Sequence, residues 1–326
     1  MRKPIVVVGS INLDLVSKGK KIPAPGETVR GESFNTFHGG KGANQAVAVA
    51  RLGHPVAMIG KVGDDEFGPR LRDRLSAEGV DVSHVGVACA ISSGVALISV
   101  DEAGQNSITV VPGANDTLTP ADLDAASDLL RSAGMILTQL EIPIETVEHL
   151  CALAGEFGVP VKLDPAPARP LPRKILGQVA YLTPNETETA TLCAIADGDL
   201  DESKAGKCAA QLKKAGAGNV IIKMGARGAL VLAADGAQTV VPGFKVPVVD
   251  STAAGDAFNG ALATALSSGL SLPRACRYAS AAGAVSVTRA GAQPAMPSAS
   301  QVERLLAGAD AGTATDCERE AVEIEG

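Results

Sequence analysis

VVDSTAAGDAFNGALATAL, residues 248–266, decides how the rest of the chain is read. It reads as a strand end at Val248–Val249, then a run of small residues, then an amphipathic helix. Ala253, Ala254 and Gly255 carry no bulk, so their backbone N–H groups can close around an anion at a helix N-terminus, where the peptide dipoles favour negative charge. Asp256 falls in the first turn, within reach of a hydroxyl presented beside that anion. An ordinary helix with an acid in its first turn has the same spacing, so the stretch alone leaves both readings open. A strand entering a small-residue turn and then a helix is a unit of α/β proteins.

Outward from this stretch, short apolar runs alternate with amphipathic segments. IVVV (5–8) predicts a buried strand. Ala43, Ala46, Val47 and Ala50 recur at helical spacing and predict a helix over 43–52 closed by Gly53. VAMIGKV (56–62) predicts a strand, followed by a helix over 66–78 capped by Asp64 or Asp65. Thr119 and Pro120 open another helix. Strands at 135–140, 159–163, 179–183 and 219–224 alternate with helices at 144–157 and 202–214. This order predicts an α/β fold, a three-layer α/β/α core around a mainly parallel sheet.

Two regions interrupt the alternation. Residues 12–37 have no helical period and read as a polar hairpin, and GVALISVDEAGQNSITVV (94–111) reads as two strands about a turn near Asp101–Gly104. Pairing of the two predicts a small antiparallel β lid, with Val95, Leu97, Ile108 and Val110 sharing one apolar face. A later hairpin over 229–241 turns at Asp235–Gly236. No repeat or linker divides the chain. Residues 1–306 are therefore expected to form one domain with its lid, and 307–326 an acidic, poorly ordered tail.

Bulk properties narrow the function. At 46% hydrophobic and 20% charged, the 326 residues have the composition of a packed globule, with a core of Ala, Val, Leu and Ile because aromatics are only 2%. The net charge of −7 argues against a nucleic-acid surface, and much of it comes from six acids set against one base between Ala307 and Gly326. Six cysteines without a C-x-x-C pair read as reduced thiols of a cytoplasmic protein. Neither a signal-peptide pattern nor an apolar run of ~18 residues is present, so no membrane partner is expected. His38, His54, His84 and His149 lack metal-ligand spacing and are expected at the surface or in loops.

GGKGANQ (39–45) resembles a phosphate loop without being one. A nucleotide P-loop follows its lysine with Ser or Thr, whereas Lys41 is followed by Gly42. The glycines are not spaced as a dinucleotide fingerprint either. Asn44 could cap a helix and Asp14 could sit in a turn, as readily as either could bind a ligand.

Taken with further segments, these stretches are similar to the ribokinase (PfkB) family of sugar and nucleoside kinases. Asp250-Ser251-Thr252-Ala253-Ala254-Gly255-Asp256 resembles the D-[TS]-x-A-x-G-D signature of that family, and Gly39 to Gln45 resembles its N-terminal signature. Gly9 to Asp14, Gln139-Leu140-Glu141, Asp164 to Ala168, Thr183 to Glu188 and Gly291 to Pro294 follow in the family's order. The resemblance implies a ribokinase-like fold and an ATP-dependent kinase, with phosphorylation of D-ribose at O5 as the first expectation. Alternatives are 2-deoxyribose, another sugar or a nucleoside as acceptor, or a non-catalytic sugar-binding regulator.

The resemblance also implies roles for single residues. Asn12, Asp14, Gly39, Gly40, Lys41, Asn44 and Glu141 would bind the sugar, since each buried hydroxyl needs a partner. Asp256 would be the general base, and the amides of Ala253, Ala254, Gly255 and Asp256 an anion hole. Asn185, Lys223, Gly225, Arg227, Gly228, Gly255 and Ser280 would meet ATP, with Ser280 standing where the family often has Asn and Lys223 where it often has Thr. Glu188 would order Mg²⁺ through water, a role that competes with a simple helix cap formed with Asn185. Asp250, Thr252, Ser286, Arg289 and Gly291 would form a K⁺ site, although Ala295 replaces a customary Ser. A homodimer joined through the lid completes the expectation.

Overall fold

A computed structural model of the chain describes residues 2–196 and 200–309. Thirteen strands form two sheets: β1 (Ile5–Val8), β2 (Asn12–Gly19), β3 (Gly31–Gly39), β4 (Val56–Gly63), β5 (Asp81–Ala88), β6 (Gly94–Val100), β7 (Asn106–Val111), β8 (Met135–Thr138), β9 (Val161–Leu163), β10 (Tyr181–Leu182), β11 (Asn219–Lys223), β12 (Ala229–Leu232) and β13 (Gln238–Val241). The large sheet runs β13-β12-β11-β10-β9-β8-β1-β4-β5. From β11 to β5 every neighbour is parallel, and β12 and β13 close the edge antiparallel. This is the α/β architecture that the alternation predicts; β5 is an additional strand that the apolar pattern did not single out.

Strand residues alternate between two cores. Val6, Val8 and Ile136 face one side, with Val147, Leu150 and Leu212 of the helices Ile144–Phe157 and Glu202–Lys214. Ile5, Val7 and Leu137 face the other side, with Ala43, Ala46 and Val47 of the helix Lys41–Arg51 and Ala257 of the helix Ala254–Ser267. Burial on both faces is why these strands read as unbroken apolar runs rather than as alternating ones. Small residues let the helices approach closely, and a Cβ added to Gly260 would come within 2.6 Å of the Ala48 Cβ on the neighbouring helix.

The second sheet is the lid, in the order β3-β2-β6-β7. It consists of two antiparallel hairpins, β2–β3 and β6–β7, joined along a parallel seam between β2 and β6. Register corrects one expectation. Leu97 pairs with Thr109 and Val95 with Val111, whereas Ile108 pairs with Ile98 and Val110 with Ala96. Residues directly opposite share a face and successive residues alternate, so Val95 and Leu97 lie on one face and Ile108 and Val110 on the other.

Three further differences are local. Val248 and Val249 belong to no strand but to an irregular connection, 69% and 63% exposed. His54 sits in the loop between the first helix and β4, as expected, but is buried there, its Nδ1 3.0 Å from the Pro55 carbonyl. A helical run over 299–309 continues past the expected domain end at 306, and the rest of the acidic tail, 310–326, lies outside the described residues. Among the described residues no helix is long and apolar enough to cross a membrane.

Candidate active site

Parallel strands put their carboxyl ends along one edge, the usual position of ligand sites in open α/β sheets. Here that edge gathers Ser10 after β1, Gln139 and Glu141 after β8, Asp164 after β9, Thr183 and Asn185 after β10, and Lys223 at the end of β11. The two glycine-flanked helices, Lys41–Arg51 and Ala254–Ser267, aim their N-termini at the same place. Gly40 caps the first at φ 86°, and a Cβ there would meet the Asn12 amide nitrogen at 2.7 Å, so only glycine fits. Ala253 caps the second in the left-handed region, at φ 59°. The helix makes its first i→i−4 bond from Ala257 N to Ala253 O at 2.9 Å, which places the Gly255 and Asp256 amides ahead of it at the helix mouth.

Asp256 is the centre of the site. It is 5% exposed, and both carboxyl oxygens accept from side-chain amides: Oδ2 from Asn44 Nδ2 at 3.0 Å and Oδ1 from Gln45 Nε2 at 3.1 Å. Burial pushes its pKa up to about 6, with Asp164 adding to the rise and Lys41, Asn44 and Gln45 opposing it. A carboxylate titrating near neutrality has the strength suited to taking a proton from a hydroxyl.

The predicted sugar residues cluster beside it. Glu141 Oε2 accepts from Ser10 Oγ at 2.5 Å and from the Lys41 backbone at 3.2 Å. Asn12 Oδ1 is held by Asn115 Nδ2 at 2.7 Å, which fixes the direction of its own amide nitrogen. Asp14 lies against Gly39, where any Cβ would overlap its carboxylate. Burial, with Glu141 and Asp256 nearby, pushes the Asp14 pKa up to about 7 against the pull of Lys41. Burial disfavours charge on Lys41, yet Asp256, Glu141, Asp164 and Glu188 raise its pKa above the ordinary lysine value, so it is the cation of this acidic nest.

Two cavities adjoin. One, of about 400 Å³, is polar and lined by Lys41, Asn185, Glu188, Ala253, Ala254 and Asp256 among others. The other, of about 470 Å³, is largely apolar, with Phe244, Val246, Val248, Phe258, Ser280 and Val287 in its wall. They share Lys223, Gly225, Ser251, Ala254 and Gly255, and Gly228 lines only the apolar one. A polar chamber leading into an apolar one suits a phosphate chain continued by a flat base. Arg227 is the exception among the nucleotide candidates. It turns away to Glu186 and to the Leu200 carbonyl at 2.8 Å and lines neither cavity.

Asn185 and Glu188 form a reciprocal cap, with Glu188 N on Asn185 Oδ1 at 2.8 Å and Asn185 N on Glu188 Oε2 at 2.7 Å. Cap and cavity wall are thus the same residues. Burial raises the Glu188 pKa. No group of three or more His, Cys, Asp or Glu among the described residues could hold a metal by itself. Asp250 Oδ1 accepts from Thr252 N at 2.9 Å and Oδ2 from Gly291 N at 2.8 Å, pinning the segment before the 254–267 helix to the turn at Gly291. Ser286 Oγ donates to Gly283 O at 2.8 Å, while the Ser286 carbonyl already accepts from Arg289 N at 3.2 Å.

Sequence reading left out the groups that connect these residues: Gln45, Asn115, Gln139, Lys162, Asp164 and Asn259. Gln45, Gln139, Asp164 and Asn259 stand inside quoted stretches, which was their only signal; Asn115 and Lys162 have none.

Comparison with known proteins identifies the family. A model of the pfkB family of carbohydrate kinases matches residues 2–299. Ribokinase of Bacillus subtilis is 43% identical over 302 residues, 93% of this chain and 99% of that protein. Deoxyribokinase of Salmonella typhimurium is 38% identical over 303 residues, 93% of this chain and 98% of that protein. Arabidopsis thaliana ribokinase complexed with ribose and ATP matches with a TM-score of 0.88 and 33% identity, over 94% of this chain and 99% of that chain. With a family model spanning nearly its whole length and such relatives beside it, this chain belongs to the pfkB family of carbohydrate kinases.

Proposed function

We infer that the protein is an ATP-dependent sugar kinase that transfers the γ-phosphoryl group to O5 of D-ribose, giving D-ribose 5-phosphate and ADP. The observation that carries this reading is the position of Asp256: a buried carboxylate at a helix mouth that accepts from Asn44 of the candidate sugar cluster and lines the polar cavity adjoining the apolar one. Asn12, Asp14, Lys41, Asn44 and Glu141 supply the mixture of acceptors and donors that a small polyol needs. Asp256 accepts the proton of the attacking hydroxyl. The amides at the mouth of the 254–267 helix receive the oxygens of the transferring group as their charge grows.

ATP enters with its base in the apolar cavity and its phosphates toward Lys223 and Gly255. Glu188 and Asn185 are the residues that would hold a hydrated Mg²⁺, which when bound neutralises phosphate charge. K⁺ is the monovalent cation we assign to the Asp250 loop pair. The five described cysteines are free thiols, which supports a cytoplasmic location, and we propose a homodimer joined through the lid.

The kinship with a deoxyribokinase makes 2-deoxyribose the second reading. A panel of sugars and nucleosides assayed with ATP and Mg²⁺ decides between them. Highest kcat/KM on ribose, with one ADP per sugar phosphate, is expected. A clear preference for deoxyribose moves the assignment to that sugar, and binding without ADP release makes the protein a regulator.

A further inference from the structure

The roles above leave two fully enclosed groups without a task. Gln45 is wholly buried, and its Nε2 donates to two carboxylates at once, Asp256 Oδ1 and Asp164 Oδ2, both at 3.1 Å. Gln139 decides which end of that amide faces them, because its own Nε2 donates to Gln45 Oε1 at 3.0 Å. The second oxygen of Asp164 accepts from Lys223 Nζ at 2.8 Å. Lys223 stands where the polar and apolar cavities meet, with Glu188 Oε2 4.0 Å away. A continuous polar path therefore runs from the cavity junction to the catalytic carboxylate. Its links are Lys223 on β11, Asp164 after β9, Gln45 on the 41–51 helix and Asp256 on the 254–267 helix.

We propose that Asp164 is a positioning residue that joins the two halves of the reaction: one carboxylate holds Lys223 at the mouth of the nucleotide cavity and, through the shared amide of Gln45, sets the orientation and strength of Asp256. This rests on the kinase reading given above. A carboxylate as buried as Asp164 requires charge compensation, and Lys223 is the cation bonded to it. Although burial opposes ionisation, Lys223, Lys162 and Lys41 keep the Asp164 pKa below the ordinary carboxylate value, so it presents a negative charge to its neighbours. A like charge nearby strengthens a base.

The other groups facing Asp256 are Lys41 on the 41–51 helix, Lys162 on β9 and Asp14 on β2, with the neutral amides of Asn44 and Gln45. Of these none lines both cavities, so Asp164, through Lys223, is the link between nucleotide and base.

The test is the pH profile of kcat/KM for the sugar at saturating ATP, with KM for ATP, in Asp164→Asn, Lys223→Met and the double variant. Asp164→Asn removes charge and keeps shape, and its acid limb moves down by about one pH unit. Lys223→Met leaves Asp164 uncompensated, and its limb moves up. Both raise KM for ATP, by about tenfold for Lys223→Met, the size expected for loss of a charged hydrogen bond. In the Asp164→Asn background, Lys223→Met no longer moves the limb.

Opposite shifts cannot come from general loosening of the site. Limbs that move in the same direction, or not at all, overturn the proposal. Failure of the kinase reading shows separately, as parent protein that phosphorylates no sugar.

Discussion

At the scale of single residues, two buried ionisable groups on adjacent elements have opposite consequences. Asp256 is buried for chemistry. Its replacement by Asn keeps the size of the side chain but removes the proton acceptor, so turnover should fall by ~10²–10⁴-fold or more while calorimetry still detects sugar and ATP binding. In the parent, kcat/KM should drop about tenfold per pH unit below about 6, where the base becomes protonated. Turnover within tenfold of the parent would assign the base elsewhere. Lys162 is buried and lines neither cavity. Its Nζ donates to Asn259 Oδ1 at 2.5 Å, and burial pulls its pKa down to about 7. An unfolded lysine titrates near ~10.4, so between those values the unfolded chain binds more protons and the folded state gains stability as pH rises. Lys162 thus costs stability at neutral pH. Lys162→Met should raise the melting temperature at pH 7 by a few degrees, with the gain shrinking toward pH 10; a lower melting temperature at pH 7 would mean that the bond to Asn259 outweighs the desolvation cost.

At the scale of elements, the site depends on how closely two helices approach. Gln45 and Asn44 reach Asp256 because the 41–51 and 254–267 helices touch at Gly260, where an added Cβ would also come within 3.0 Å of the Gln45 carbonyl. Gly260→Ala must push the helices apart. It should cost about 1–3 kcal/mol in denaturant unfolding, and kcat should fall more than KM because the amides lose their reach to Asp256. Unchanged kcat in a folded variant would show that this contact does not tune the base. The loops behind the second helix make the other element-scale prediction. Asp250 ties the segment before the 254–267 helix to the turn at Gly291, and backbone N–H groups hold its carboxyl below the usual carboxylate range despite burial. A K⁺ ion among their carbonyls would order the anion hole without touching substrate, so activity in potassium should exceed that in sodium or choline. Equal rates in all three would remove the cation from the reading, and Ala295 would be the first residue to examine.

At the scale of the whole molecule, the lid leaves apolar side chains uncovered on both faces. Leu97 is 48% exposed on one face, and Ile108 and Val110 are 53% and 47% exposed on the other. The second face is also that of Asp14, through the register Asp14–Ala96–Val110. A thin four-stranded sheet with open edge strands β3 and β7 and apolar patches is the kind of surface that recruits a second copy. Ile108→Asp should therefore weaken self-association and sugar affinity together, read by light scattering and by KM for the sugar. A parent that is monomeric and fully active at micromolar concentration would exclude the lid-to-lid dimer and leave the kinase assignment intact.

Features decided within a few residues are legible in the amino-acid sequence alone. Apolar runs announce most strands of the large sheet, and small residues with a first-turn acid announce the helix mouth at Ala253–Asp256. Backbone sterics and side-chain period act over one turn or one strand, so sequence determines them by itself. The rest depends on sheet order. Gln45, Asp164 and Asp256 become neighbours only because the parallel strands align their carboxyl ends along one edge. Lys162 meets Asn259 across 97 positions, and Asn115 meets Asn12 across 103. The two apolar pairs of the lid separate onto opposite faces because cross-strand register, not composition, decides which side a residue faces. Arg227 turns to Glu186 and lines neither cavity, while Lys223 stays at the cavity junction beside Asp164. Each of these is settled by a partner distant in the chain, and the energy of such a pair depends on burial and distance that only the folded arrangement creates.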